Sequence, residues 1–320
     1  MLDAMEIIFM IVIVGEFIMG ILGNGFIGLV NFVDWVKKRK IYLVDIILTS
    51  VATSRIGLLF MIFLNGFTMT LYPEVFDYED IMRIIDGLWT ITNHLNVWLA
   101  TCLSIFYCLK IANFSHPLFL WLKWRINRVI LIILLASLLI SVFFSFLIIN
   151  NYNEIFKSFI LRKDKKNTTS SSIYSKMLLN LGSLFPFTVS LISFFLLILS
   201  LWKHVQKRKF SSWDARDPST EIHLRALKTV ISFLILFVIY CLTFFIATSN
   251  DFFPESELVM IFIQIIAPIY PLGHTFILIW GNIKLRQTSL NVLQQMKHCL
   301  RGDISISRLC RNKYLLIDRR

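Results

Sequence analysis

The sequence predicts an all-α membrane protein, a bundle of seven transmembrane helices, and three observations carry that reading. Of its 320 residues 57% are hydrophobic and only 16% charged, where soluble domains run at about 45–50% apolar and about 25% charged. Apolar runs long enough to cross about 30 Å of hydrocarbon recur at about 7–33, 45–72, 86–111, 127–149, 177–202, 228–249 and 258–281. Lys and Arg gather in alternate connections, which fixes an orientation for a multi-pass chain.

The first run passes Asn24 and reaches Val33 without a cleavage site, too long for a signal-peptide core, and reads as an uncleaved span. Lys37, Lys38, Arg39 and Lys40 follow it. The second run holds Arg55 and Asn65 and leads into an acidic connection with Glu74, Asp77, Glu79 and Asp80. The third opens polar, with Trp89, Asn93, His94 and Asn96, turns apolar to Phe106, and ends basic at Lys110, with Lys123, Arg125 and Arg128 beyond it. A soluble helix keeps one wet face along its length, whereas this one is wet at both ends. The fifth run contains Pro186 and ends in Lys203, His204, Lys207, Arg208 and Lys209. Asp217-Pro218 breaks the next connection, where Ser219 or Thr220 is expected to cap the sixth helix. The seventh run is interrupted by Pro268 and Pro271.

The basic connections share one side, which is cytoplasmic, so the N-terminus is expected outside and the tail inside. The segment 150–176 dissents with Arg162, Lys163, Lys165 and Lys166, but it also carries the sequon Asn167-Thr-Thr, which needs lumenal exposure. A second sequon, Asn113-Phe-Ser, falls at the cytoplasmic end of span three and is expected to stay unmodified. After span seven, Leu285, Leu290, Leu293, Met296 and Leu300 recur at helical spacing among Lys and Arg, the pattern of a short amphipathic helix on the inner surface; a basic tail ends the chain. The short connections and the lack of an internal repeat argue for a single domain over 1–320, with 282–320 as cytoplasmic helix and tail.

The net charge of +12 lies in loops and tail, where it meets the anionic inner leaflet, and no nucleic-acid motif accompanies it. The cysteines have no metal-ligand spacing; Cys299 and Cys310 in the tail are candidates for palmitoylation. No nucleophile–base pair or phosphate loop is visible, so neither an enzyme nor a cofactor is expected. A transporter would be expected to show internal repeats and a through-path of polar residues at mid-membrane, and neither is apparent.

Polar residues inside the spans divide into two sets. Asn24 and Arg55 lie deep, and a charged Arg there costs several kcal/mol, of order 3 or more, unless it is paired. They form either a polar switch that changes partners or a fixed interhelical bond. Trp89, Asn93 and Asn96 sit at i, i+4 and i+7 near the outer end, on one helical face, with His94 beside it. They either line a pocket for a small, mostly apolar molecule or belong to the aromatic belt and to helix–helix hydrogen bonds. Asn65 and Gln264 lie at similar depth. Pro271 and His274 follow a bend in span seven.

Several stretches together resemble the bitter taste receptors, the type 2 taste receptor family of G-protein-coupled receptors. They are Gly20-Ile-Leu-Gly-Asn24-Gly-Phe, Ile47-Leu-Thr-Ser-Val-Ala-Thr-Ser-Arg55-Ile, Phe106-Tyr-Cys-Leu-Lys110-Ile-Ala-Asn113-Phe-Ser, Arg216-Asp-Pro-Ser-Thr-Glu221 and Tyr270-Pro-Leu-Gly-His274-Thr-Phe. The Arg216–Glu221 segment is similar to members 7 to 10. Leu109-Lys-Ile-Ala112 stands where other such receptors carry Asp-Arg-Tyr. Val51-Ala-Thr replaces the commoner Leu-Ala-Ile, and Trp280 stands where Leu is usual.

The resemblance implies bitter small-molecule agonists and a heterotrimeric G protein of the gustducin/Gi type. By the same resemblance Trp89 and Asn93 line the cavity, Gln264 tunes ligand choice, Tyr240 is a switch residue beneath it, and Asn167 carries a glycan. Tyr107, Lys110, Lys123, Arg125, His204 and Lys207 are the expected G-protein contacts. Membrane lipids are further partners; the oligomeric state is left open.

Overall fold

The computed structural model describes residues 4–72, 74–75, 78–150, 171–211, 218–248 and 257–300. Its helices are α1 (Ala4–Lys38), α2 (Leu43–Leu71), α3 (Glu79–Ile111), α4 (Pro117–Trp124), α5 (Ile126–Asn150), α6 (Ser171–Ser211), α7 (Pro218–Thr248), α8 (Glu257–Ile266), α9 (Ile269–Gly281) and α10 (Ile283–Leu300). Among the described residues, seven helical stretches are long and apolar enough to span a bilayer. The chain divides into two compact units, Met1–Thr275 and Phe276–Arg320.

In the first unit α3 is the interior element. Its apolar stretch is 67% buried, against 17% for α1 and 22% for α5, and it packs against α2, α5 and α6. This explains the sequence: a helix surrounded by protein can carry Thr, Asn, His and Ser in its middle, whereas α1 and α5 expose Leu, Ile and Phe, as lipid-facing helices must. Small residues bring α5 close to α3. Ser137, Ser141 and Ser145 form a buried stripe at four-residue spacing, and Ser145 Oγ donates to the Gly87 carbonyl at 2.9 Å. On the other side Thr101 Oγ1 donates to the Pro186 carbonyl of α6 at 3.0 Å and receives a bond from Ser190 Oγ at 2.8 Å. Pro186 has no amide proton, so it interrupts the backbone ladder of α6 at the turn where Thr101 reaches it.

Several boundaries differ from the sequence expectation. α3 begins at Glu79, seven residues before the apolar run, and α6 continues to Ser211 through its basic end, because a helix does not stop where its hydrophobicity does. α7 begins at Pro218 itself, so Ser219 and Thr220 lie in its first turn rather than ahead of it; proline tolerates that position because a first-turn amide has no intrahelical acceptor. The seventh span is two helices, since the chain turns at Ala267–Pro268 between α8 and α9.

The end where α1 leaves and α2 enters is the basic end. There α1 terminates on Arg39 at φ 50°, whose amide donates to the Trp35 carbonyl at 2.9 Å, a left-handed cap usually made by glycine. α4 starts with Pro117 in its first turn and His116 Nδ1 accepting from the Leu118 amide at 3.3 Å. Trp35, Trp121, Trp124 and Trp202 are exposed at this end, as in an interfacial aromatic belt.

In the second unit α10 opens on Asn282, whose Oδ1 accepts from the Lys284 and Leu285 amides at 3.0 and 3.3 Å. Leu290, Leu293 and Met296 are exposed on α10, the apolar side expected of a helix lying along a membrane surface.

Candidate functional site: a cavity above a polar core

Away from the basic end, α2, α3, α7 and α8 enclose a cavity of about 170 Å³. Asn65, Trp89, Asn93, Tyr240 and Gln264 all line it, with apolar wall from Leu58, Ile62, Phe244 and Ile263. Trp89 stacks on Phe244 with centroids 6.1 Å apart and planes 14° off parallel. Tyr240 donates its hydroxyl proton to Asn93 Oδ1, joining α7 to α3. Among the described residues Asn93 Nδ2 has no partner. Gln264 is 7% exposed; its Nε2 faces the Met69 thioether at 3.4 Å, and among the described residues its Oε1 has no partner.

His94 does not line this cavity. One residue along a helix turns a side chain by about 100°, and the His94 ring stacks on Phe144 of α5 with centroids 5.0 Å apart. Its Cε1 lies 2.7 Å from where a Cβ on Gly182 of α6 would sit. Asn96 is fully buried almost one turn below Asn93, on the Tyr240 side of α3, and is likewise outside the lining. Among the described residues α6 contributes nothing to the cavity wall.

Beneath the cavity lies a connected polar core. The Tyr240 and Tyr270 rings are 4.9 Å apart, and Tyr270 stacks on His274 at 5.5 Å with planes 14° apart. Arg55 is 0% exposed. Its Nη1 donates to Thr275 Oγ1 at 3.1 Å, its Nη2 to His274 Nδ1, and its guanidinium carbon lies 5.6 Å from the Tyr270 ring centre. Because Arg can only donate, His274 Nδ1 accepts, which places the imidazole proton on Nε2. The Thr275 hydroxyl reaches both the Pro271 carbonyl at 2.6 Å and Asn24 Oδ1 at 2.9 Å, and Asn24 Nδ2 donates to the Gly20 carbonyl at 2.9 Å. Asn24, Arg55, Pro271 and His274, read separately from sequence, are therefore one network across α1, α2 and α9. None of the Arg55 partners is a carboxylate: the charge is held by neutral acceptors and a ring face.

The profile of the TAS2R taste receptor proteins matches residues 1–297 of this chain.

The chain belongs to that taste receptor family.

Taste receptor type 2 member 7 of Macaca mulatta is 54% identical over 309 residues, covering 94% of this chain and 97% of that protein. The member 7 receptor of Mus musculus is 52% identical over 300 residues, covering 92% and 96%. This TAS2R chain is a multi-pass membrane receptor of the G-protein-coupled type and not an enzyme. Among the described residues no group of His, Cys, Asp and Glu is arranged to hold a metal.

At the basic end of this receptor Lys110 and Arg125 are exposed and Tyr107 is half-buried. Arg125 lies against Trp121 and Trp124, at 5.2 and 5.9 Å from their ring centres. Lys123 is occupied at home, donating to the Ala112 carbonyl at 2.9 Å. His204 and Lys207 fall in α6, with side chains outside the described residues, and Asn167 lies outside them altogether. The Asn113 amide donates to Ser200 Oγ at 3.1 Å, just past α3.

Sequence reasoning passed over Tyr270, Thr275, Thr243 and Phe244. Tyr270 and His274 at i, i+4 carried a visible signal. Thr243 and Phe244 sit in an apolar run with no pattern to separate cavity from lipid.

Proposed function

We propose that this taste receptor detects bitter small molecules in the cavity between α2, α3, α7 and α8, and passes the signal to a heterotrimeric G protein of the gustducin/Gi type at the basic end. The observation that carries the reading is the shared position of Tyr240. It lines the cavity, bonds to Asn93, and meets Tyr270 on the Arg55 network. A molecule that displaces Trp89, Asn93 or Tyr240 thus alters the contacts of a buried charge.

In this reading the cavity opens to the outside and the basic end is cytoplasmic, which the Lys and Arg distribution supports. The receptor resides in the plasma membrane, with Asn167 as the glycan site. Tyr107, Lys110, Lys123, Arg125, His204 and Lys207 surround the docking site for the G-protein α subunit. Lys123 contributes only after releasing the Ala112 carbonyl, so its engagement belongs to the active shape. The agonist shifts the balance between two shapes only by its differential affinity for them.

The test is a cell assay of the full chain with a gustducin-type chimeric G protein and a panel of bitter compounds. A concentration-dependent response to some members is expected; silence toward all of them, with the receptor at the cell surface, contradicts the reading.

A further inference from the structure

The short helix α4 is fixed by one face and free on the other. On the fixed face Phe119 meets Phe114 edge to face, with centroids 5.2 Å apart. Lys123 lies one turn on, its Nζ 5.8 Å from the Phe119 ring centre, and donates to the Ala112 carbonyl just past α3. The free face carries Leu118, Leu120, Trp121 and Trp124, all exposed. Trp124, at 82%, is the most open large apolar residue described. Four such side chains on an eight-residue helix are a poor surface for water and a good one for the headgroup layer of a bilayer, where Trp collects.

One cation rides on this apolar face. Arg125 is exposed, and it follows Leu118 and Trp121 at seven and four residues, on their side of the helix. Its guanidinium carbon lies 5.2 and 5.9 Å from the Trp121 and Trp124 ring centres. Neither ring can accept the paired N–H bonds that a guanidinium offers, so that fork is left for a phosphate. Arg128, in the first turn of α5, is exposed as well. Among the described residues neither arginine has a carboxylate partner. The chain holds no Asp or Glu between Asp86 and Glu154, so nothing nearby in sequence offsets the charge. The occupant of this face must therefore be anionic at Arg125 and apolar beside it. A phospholipid is both, and the free face is turned from the α3 end, where the G-protein site is proposed.

We propose that the free face of α4, with Arg125 and Arg128, binds the phosphate headgroup of an anionic phospholipid, with Trp121 and Trp124 seated beside it at headgroup level. In the orientation proposed above this is the cytoplasmic leaflet, where anionic lipids concentrate. The site needs neither agonist nor G protein, so it stands apart from the receptor reading.

The test places the photo-crosslinking residue p-benzoylphenylalanine at Leu118 of the full chain, which leaves both tryptophans in place. The receptor is held in nanodiscs of equimolar phosphatidylcholine and phosphatidylserine, irradiated, and its adducts are identified by mass spectrometry. A second chain carries the crosslinker at Ile11, exposed near the far end of α1. Phospholipid adducts are expected at both positions. At Leu118 phosphatidylserine should be favoured by about fivefold or more, the discrimination that one surface Arg gives against a zwitterionic lipid. At Ile11 no preference is expected. Arg125→Gln together with Arg128→Gln should abolish the preference at Leu118 while lipid is still captured. The measurement is repeated with a gustducin-type G protein added, and the lipid adduct should persist. Equal capture of the two lipids at Leu118 overturns the proposal, and so does the absence of any adduct there. Capture of the G-protein α subunit in place of lipid assigns the face to that partner and overturns it too. The comparison of Leu118 with Ile11 decides the matter even if the double variant fails to fold.

Discussion

Tyr240 on α7 donates its hydroxyl proton to Asn93 on α3, and this bond closes the lower side of the cavity. It occupies Asn93 Oδ1, and among the described residues Asn93 Nδ2 has no partner. Tyr240→Phe removes the donor and leaves a buried acceptor unpaired at a cost of about 1–3 kcal/mol. Agonist concentration–response curves should shift right by about tenfold, the equivalent of about 1.4 kcal/mol, at surface levels matched to wild type by antibody labelling. An unshifted curve would remove Tyr240 from the signalling path.

The Arg55 site separates shape from charge. Its guanidinium serves Thr275 and His274 with two nitrogens while lying near the Tyr270 ring. A lysine ammonium is a compact point charge and cannot do all three. Arg55→Lys therefore keeps the buried charge and loses most of what holds it. Arg55→Leu loses the partners but also the charge. Thermal unfolding of purified receptor in detergent should show Arg55→Lys at least as destabilised as Arg55→Leu, each by about 3 kcal/mol or more. A lysine variant as stable as wild type would show that charge alone is what the network needs.

Glycines in the spans differ sharply in what surrounds them. A Cβ on Gly182 would lie 2.7 Å from His94 Cε1 and 2.9 Å from the Phe144 ring, while one on Gly25 or Gly28 meets nothing within 4 Å. Two stacked rings cannot give way cheaply, so Gly182→Ala should cost about 1–3 kcal/mol. Gly28→Ala, in the middle of α1, should be neutral or stabilise by up to about 1 kcal/mol through helix propensity. The same unfolding assay ranks them; the reverse order would contradict the packing of α3, α5 and α6 described above.

Gly66 tests the cavity wall from behind. Its Cβ would fall 2.5 Å from Ile13 Cδ1 and 2.7 Å from Gln264 Oε1. Gly66→Ala must move one of these flexible ends. Moving Gln264 should change which agonists of a panel are preferred, beyond a uniform loss of expression. A variant with the wild-type rank order of agonists would place the strain on Ile13 instead.

The seven spans were legible because the bilayer imposes one rule on every element: about twenty apolar residues, charges outside. Trp89, Asn93, Asn65 and Gln264 were legible for a related reason, since polar residues within apolar runs stand out and these share a depth. Asn96 and His94 stood out equally, yet depth does not say which way a side chain turns. His94 went to Phe144 and Gly182 because α3 is packed on several sides rather than one. The break between α8 and α9 was signalled by Pro268, but its extent was not, because proline kinks some helices and ends others. The linkage of Asn24 to Arg55 through Thr275 was hidden for a plainer reason. A threonine in an apolar run usually bonds its own helix, and only the approach of α1 and α2 shows that Thr275 also bonds theirs.

The central claim is that the cavity at Trp89 and Asn93 is where agonists bind. Its most direct test is the agonist concentration–response of wild type, Trp89→Ala and Asn93→Leu in the gustducin-type cell assay, at matched surface expression. The structure predicts that each variant shifts the response by about tenfold or more, because Trp89 supplies a ring wall and Asn93 a buried hydrogen bond. Responses identical to wild type in both variants would contradict it.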